Sequence, residues 1–417
     1  MTTPIVPSLG LEQLRAAVRA WAAANTPPGW HDALKTATRQ EFREFNIRQA
    51  RLLREAGLLA THWPREFGGG GFSFAQQLVI QEELVRADCP QPRLLEIALA
   101  HIAATLIAYG STGQQRHLQA ILDGEIWCQG FSEPDAGSDL ASLRTRAVRT
   151  GDCYVVNGQK VWSSYADQAT WCLLLARTDP AAPRHRGLSL FMLELDSPGV
   201  EIRPIRQATG TEEFSELFLT DVRVPAGHLI GEENAGWRMA QTTLATERAF
   251  NILELQARLA VALAEIAAQA LATPVAPGRM AADDDSIRQE LAARAAEVEV
   301  LGLLGQRLAR DVERSGEVGP EGSIVKLFYS ETLQKLTALA VRITGLPAML
   351  DERREFATSW TSGHWMIDHL KSWNWTIAAG SNEIQRNIIG EKVLGLPREP
   401  SSGAAQPGGA RPGGAQS

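Results

Sequence analysis

The sequence predicts a multidomain α+β fold, with a helical N-terminal domain over 1–125, a β domain over 126–235, a helical C-terminal domain over 236–396 and a disordered tail over 397–417. Three observations predict it. Apolar residues recur at helical spacing in the first part, and short runs rich in β-branched and aromatic residues fill the second. Long Ala- and Leu-rich amphipathic stretches make up the third. At about 150 residues per domain, 417 residues suffice for two or three domains with a large core.

In the N-terminal part, Leu11, Leu14, Val18 and Trp21 mark one helix face. The apolar positions of AQQLVIQEELVRA (75–87) and LLEIALAHIAATLIAYG (94–110) mark two more. Asp123-Gly124 closes this part at a turn. The expected strands are CYVVNGQKVW (153–162), TWCLLLART (170–178), GLSLFMLEL (187–195), GVEIRPI (199–205) and ELFLTDVRV (216–224). Asn157-Gly158 predicts a hairpin turn. Beyond Gly236 the spacing predicts helices over 237–272, 286–313, 321–345 and 359–395, with TPVAPGRMAADDD (273–285) as a loop. The end, SSGAAQPGGARPGGAQS, has the composition of a flexible tail.

Lys and Arg number 41 against 48 Asp and Glu, a net charge of −7, without the basic surplus that a nucleic-acid binder needs to neutralise phosphates. With 44% hydrophobic and 21% charged residues the composition is globular. No uncharged apolar run approaches the ~18–20 residues that span a bilayer. The N-terminus MTTPIVPSLGLEQLRAAVRAW lacks the basic start and apolar stretch of a secretion signal. Cys89, Cys128, Cys153 and Cys172 are scattered, with no CxxC and no ligand spacing. Neither a disulfide framework nor a metal site is expected, and the expected location is the cytoplasm.

Three segments stand out for their chemistry: FSEPDAGSD (131–139), NGQKVWSS (157–164) and AAGSNEIQRNIIGEKVLGLP (378–397). The first is a Gly-containing loop whose Ser132 and Ser138 hydroxyls and free backbone amides suit a polar heteroaromatic or a phosphate. Read alone it is an ordinary loop, and NGQKVWSS alone is a hairpin with Trp162 in the core. In this order, and together with HWPREFGGGGFS (62–73), IQEELVRADCP (80–90), AYGSTGQQRHLQAILDGEIWCQG (108–130) and DVRVPAGHLIGEENAGW (221–237), they resemble the acyl-CoA dehydrogenase flavoprotein family over roughly residues 8–397.

The resemblance implies a middle β-barrel or sandwich domain, a C-terminal four-helix bundle and FAD as cofactor. It places the isoalloxazine ring against residues 129–138, with Gln129, Phe131, Ser132, Gly137 and Ser138 as contacts, and against Trp162, Ser163 and Ser164. Ser164 stands where the family has a Thr that hydrogen-bonds the flavin N5. Ser381, Asn382 and Glu383 fall where the C-terminal loop meets the flavin or its ADP half. Ser138, Arg248 and Gly380 correspond to substrate or CoA contacts.

The implied reaction removes an α-proton and a β-hydride from an acyl-CoA thioester, giving a trans-2-enoyl-CoA and passing electrons to an electron-transfer flavoprotein. A carboxylate suits the base, because burial by substrate penalises its charge and raises its basicity. Most of the family carries this Glu just before the Gly of the C-terminal loop, where this chain has Ala379. A minority resembling isovaleryl-CoA and long-chain acyl-CoA dehydrogenases places it on the first long C-terminal helix, in a Leu-x-x-Glu-Arg context. The chain reads LATERAF there, which makes Glu247 the expected base, followed by Arg248. Ala379 keeps the backbone N–H that the family uses to polarise the thioester oxygen.

Two family motifs for the FAD pyrophosphate and adenine are missing. The corresponding regions read APGRMAADDD, leaving Arg279 as a remnant, and VRITGLPAML (341–350). Either other contacts hold the ADP half in a homodimer or homotetramer, or a sister subunit supplies them in a heterotetramer, as in pimeloyl-CoA-type and steroid-degrading members. An oxygen-using, acyl-CoA oxidase-like enzyme is a further alternative. A degenerate non-catalytic subunit is disfavoured by Glu247, and a DNA-associated relative by the net charge of −7. The resemblance implies a place in fatty-acid or lipid metabolism, while the apolar runs and the charge lead us to expect no membrane insertion and no nucleic acid as partner.

Overall fold

The computed structural model describes residues 5–316, 318–349 and 365–398, apart from the side chains of Thr242 and residues 244–253 within one helix. The expected helical segment 359–364 and the tail from 399 onward lie outside the described residues.

The N-terminal helices are α1 (Leu11–Asn25), α2 (Trp30–Lys35), α3 (Arg39–Glu55), α4 (Phe74–Arg86), α5 (Ala103–Tyr109) and α6 (Thr112–Leu122). Capping boxes set three of their starts. Thr38, Ser73 and Ser111 each accept from the amide three residues on, where Glu41, Gln76 and Gln114 reach back to the cap amide. Where the spacing predicts a plain helix over 94–110, a π-helical turn at Ala98–Ile102 precedes α5.

The middle strands are β1 (Trp127–Gly130), β2 (Arg146–Thr150), β3 (Cys153–Ser164), β4 (Trp171–Arg177), β5 (Leu188–Glu194), β6 (Val200–Ile205), β7 (Phe214–Pro225) and β8 (Leu229–Ile230). They form one sheet of order β6-β7-β3-β2-β4-β5-β8, with β1 parallel to β4. β4 is buried on both faces, which explains its continuous apolar run. Its Trp171, Leu173 and Leu175 join the N-terminal core, while Cys172, Leu174 and Ala176 join a second core inside the β domain.

Asn157-Gly158 does not form a hairpin turn, contrary to the sequence expectation: it lies within β3, at an irregularity against β7. The β2–β3 turn falls instead at Gly151-Asp152, between the paired Thr150 and Cys153. Asn157 Nδ2 donates to Asp221 Oδ1 and Asn157 Oδ1 accepts from the Asp221 amide, both at 2.9 Å, so its side chain serves a cross-strand pair. A Cβ on Gly158 would lie 2.4 Å from Thr145 Oγ1, so here glycine answers a close approach.

The C-terminal helices are α7 (Gly236–Ala272), α8 (Asp285–Ser315), α9 (Gly322–Thr344), α10 (Trp365–Ser372), α11 (Asn374–Ile377) and α12 (Asn382–Ile388). Leu259, Ile266, Leu301, Leu308, Leu333 and Leu336 form their separate core. The expected single helix over 359–395 is broken in its described part, at Trp373 and again at Ala378–Ser381. The expected loop 273–285 holds a short hairpin, Pro274–Ala276 with Arg279–Met280. Among the described residues one helical segment, Glu254–Ala272, is long and apolar enough by length and composition to cross a membrane, and its Leu259, Ala262 and Ile266 pack in the C-terminal core.

Candidate active site

β5 occupies one edge of β4, so β1 and the start of β2 share the other: the chain leaves that edge at Gly130 and returns where Arg146 meets Arg177. FSEPDAGSD is therefore an excursion out of the sheet. A Cβ on Gly130 would stand 2.8 Å from Cys172 Sγ, so only glycine lets β1 run this close. Glu133 anchors the excursion: Oε1 accepts from Lys160 Nζ at 2.9 Å and from the Thr145 amide at 2.8 Å, and Oε2 accepts from the Arg144 amide at 2.7 Å. Lys160 is fully buried and also donates to the Phe131 carbonyl at 3.0 Å. The Ser132 carbonyl accepts from the Val161 amide at 2.9 Å. Phe131 is buried, while Gly137 and Ser138 at the loop tip are exposed.

Burial alone would push the Glu133 carboxyl up, but Lys160 and the amides hold it below the usual glutamate range. A carboxyl lowered by folding adds stability above its unfolded pKa of about 4.3 and loses it as pH falls through the folded value. Acid denaturation followed by circular dichroism is thus expected to show a component below that range which is missing in Glu133→Gln.

At the far end of β3 the pairing with β7 is irregular between Lys160 and Ser163. Trp162 there has φ +63° and is 56% exposed, so it is not the core residue that a hairpin reading expects. Its indole meets Phe214 edge-on at 6.0 Å. Ser163 is fully buried, with an Oγ that has no hydrogen-bond partner among the described residues, whereas Ser164 is half-buried.

The third segment forms a tight loop between α11 and α12. Ala379 and Gly380 are left-handed, at φ +55° and +86°. Their carbonyls both accept from Gln385 Nε2 at 3.0 Å, and Lys326 Nζ of α9 donates to the Gly380 carbonyl at 2.9 Å. A trans peptide sets C=O and N–H on opposite sides, so this pinning turns the Gly380 and Ser381 amides the other way. The Ser381 side chain caps α12, and Glu383 is exposed in its first turn. Asn382 is buried, its Oδ1 accepting from Lys326 and Ser330, so its side chain faces inward. Lys371 of α10 donates to Glu213 Oε1 at 2.8 Å, and the Glu213 carbonyl accepts from the Tyr165 amide. The end of β3 is thereby tied to the C-terminal helices.

A polar line runs from β1 to α7. Gln129 Oε1 meets His101 Nδ1 at 3.1 Å, Thr105 Oγ1 donates to the His101 carbonyl, and Thr105 and Thr243 hydroxyls meet at 2.7 Å. His101 lies in the π-helical turn, an irregularity common at functional sites. Position 247 follows Thr243 by one turn of α7. The side chains of Glu247 and Arg248 themselves lie outside the described residues.

Residues 10–125, 128–222 and 234–394 match the N-terminal, middle and C-terminal domains of acyl-CoA dehydrogenases. Acyl-CoA dehydrogenase IpdE1 of Mycobacterium tuberculosis is 41% identical over 401 residues, covering 93% of this chain and 98% of that one. The chain belongs to the acyl-CoA dehydrogenase family. Among solved structures, the Tcur3481-Tcur3483 steroid acyl-CoA dehydrogenase aligns with a TM-score of 0.80 at 30% identity, over 93% of this chain and 98% of that one. The ChsE4-ChsE5 complex from Mycobacterium tuberculosis aligns with a TM-score of 0.80 at 34% identity, over the same shares. Acyl-CoA dehydrogenases are FAD-dependent oxidoreductases, and the residues present fit that cofactor. The exposed Trp162 indole offers an aromatic face, Gly137 has open space where a Cβ would stand, and the Gly380 and Ser381 amides are turned out of their loop.

Four residues that sequence reasoning left without a role hold this dehydrogenase site in shape: Glu133, Lys160, Lys326 and Gln385. The available signal was a charge within each motif, at FSE and QKV, with no solvent-facing reason to be there. Nothing in the local sequence around Lys326 points to the loop it holds.

Proposed function

We propose that the chain catalyses α,β-dehydrogenation of an acyl-CoA thioester to a trans-2-enoyl-CoA, with Glu247 as the base. The carrying observation is the loop at Ala379, left-handed and pinned by Gln385 and Lys326 although its side chain cannot take a proton. A loop kept in this shape without a carboxylate leaves the base to be supplied from elsewhere, and Glu247 on α7 supplies it.

Bound FAD would provide the two-electron acceptor for the β-hydrogen and hand the electrons to an electron-transfer flavoprotein. Gln129, Phe131, Ser132, Gly137, Ser138, Trp162, Ser164 and Ser381 would hold it, with Ser163, Asn382 and Glu383 contributing through their backbone. The Ala379 amide polarises the thioester oxygen and acidifies the α-carbon, an electrostatic contribution of about 10²–10³ in comparable sites. Glu247 takes the α-proton, while Ser138, Arg248 and Gly380 orient the substrate and CoA.

A heteromeric enzyme is the second reading. The ChsE4-ChsE5 relative is a complex of two named chains, and the usual ADP-binding motifs are missing here. Exposed Leu271, Val300 and Leu303 on α7 and α8 give the C-terminal helices apolar surface to cover. The test is the visible spectrum of the protein produced alone, followed by anaerobic titration with acyl-CoAs. About one FAD per chain, bleached by an acyl-CoA, supports a self-sufficient dehydrogenase. A folded, colourless protein that FAD does not restore selects the heteromer. A flavin that no acyl-CoA reduces would overturn the proposed reaction.

A further inference from the structure

We infer that the acyl pocket ends in a charged cluster which selects a substrate bearing a neutral oxygen, keto or hydroxyl, at the far end of its acyl group; this rests on the reading of Glu247 as base. Glu254 follows position 247 by seven residues, two turns of α7, so the two share a helix face about 10 Å apart. Glu254 is not alone there. Arg93 Nη2 donates to its Oε1 at 3.1 Å, and Arg258 of the same helix is ion-paired with it. Arg93 Nη1 also donates to Glu96 at 3.1 Å. The Arg258 side chain is only 8% exposed and that of Arg93 18%.

Leu94, Leu95, Leu255 and Leu259, which adjoin these residues in sequence, are all buried, and the hydroxyls of Tyr165 and of the buried Tyr329 lie close enough to interact electrostatically with the cluster. A plain alkyl tail emerging from the base along this face would therefore run into four charges. Buried ion pairs at a helix contact are often matched in stability by apolar residues, so stability does not by itself account for the cluster. Each guanidinium carries five N–H groups. Among the described residues the bonds to Glu96 and Glu254 use only part of them, leaving donors for an acceptor atom. Two arginines against two glutamates make the cluster neutral, with no surplus cation for a carboxylate to pair with. That balance favours a neutral oxygen over a second carboxylate. An extended chain advances roughly 1.3 Å per carbon–carbon bond, so about five bonds from the α-carbon, with a terminal C=O and a hydrogen bond of ~2.9 Å, cover the distance.

The test compares octanoyl-CoA with 7-oxooctanoyl-CoA on the holoenzyme, by binding and by rate of flavin bleaching, in wild type, Arg258→Met and the conservative Arg258→Lys. A hydrogen bond to a buried charged donor predicts 7-oxooctanoyl-CoA binding roughly 10–100-fold more tightly in the wild type. Arg258→Met should bring that ratio to within about twofold, and Arg258→Lys should retain part of it. Equal or tighter binding of octanoyl-CoA by the wild type overturns the inference whether or not any variant folds. Preferential binding of the oxo substrate without bleaching supports the cluster's role and rejects the base assignment instead.

Discussion

Glu247→Gln is expected to leave bound flavin in place and to slow its reduction by acyl-CoA by about 10²–10⁴-fold, the range of a positioned general base. The substitution keeps size and hydrogen-bonding capacity while removing the ability to take a proton. No other carboxylate in the C-terminal loop is suited to replace it. Ala379 has none, and Glu383 is exposed, with its carboxyl held below the usual range by its own backbone amide and the Ser381 hydroxyl. A base lowered this way and facing water is weak where the reaction needs a strong one. Stopped-flow bleaching of the visible flavin absorbance would read the rate. Wild-type reduction in Glu247→Gln removes the residue from the role, and loss of flavin would mean that it also shapes the site.

Lys160→Met is expected to destabilise the protein by about 3–5 kcal/mol, the usual cost of leaving a buried partner charge uncompensated. Glu133 would keep its two amide donors but lose the ammonium, and the Phe131 carbonyl would lose its Lys160 donor. The effect should reach the site as well, because the same contacts set the path of residues 131–133 beside β3. Urea unfolding and flavin content should therefore fall together. Adding Glu133→Gln should recover part of the stability, since the second substitution removes the stranded charge. A Lys160→Met protein as stable as wild type would show that the ion pair is dispensable.

The order of helical, β and helical parts was legible because burial imposes its period on the sequence. Its failures were local. Asn157-Gly158 carries the chemistry of a turn, yet Asn157 pairs with Asp221 across strands and Gly158 yields to Thr145. Both partners are distant in sequence, so no local rule reaches them. The site segments FSEPDAGSD, WSS and AAGSN were visible as motifs, but the separation of Ser163 from Ser164, one buried and one accessible, depends on a strand irregularity that periodicity does not carry. Lys326 illustrates the same limit: a lysine in an amphipathic helix reads as solvated until the loop carbonyl it holds is seen.

The double-sided burial of β4 has a consequence for how the molecule comes apart. Alternate side chains of one strand belong to the N-terminal core and to the β-domain core, so neither can lose its packing while the other remains intact. These two parts share one cooperative fate, and the excursion at 131–145 inherits their rigidity. The C-terminal helices have a core of their own. An opening confined to those helices is expected to break the Lys371–Glu213 tie and free the loop around Ala379, while the strand that carries Trp162 stays folded on the two joined cores.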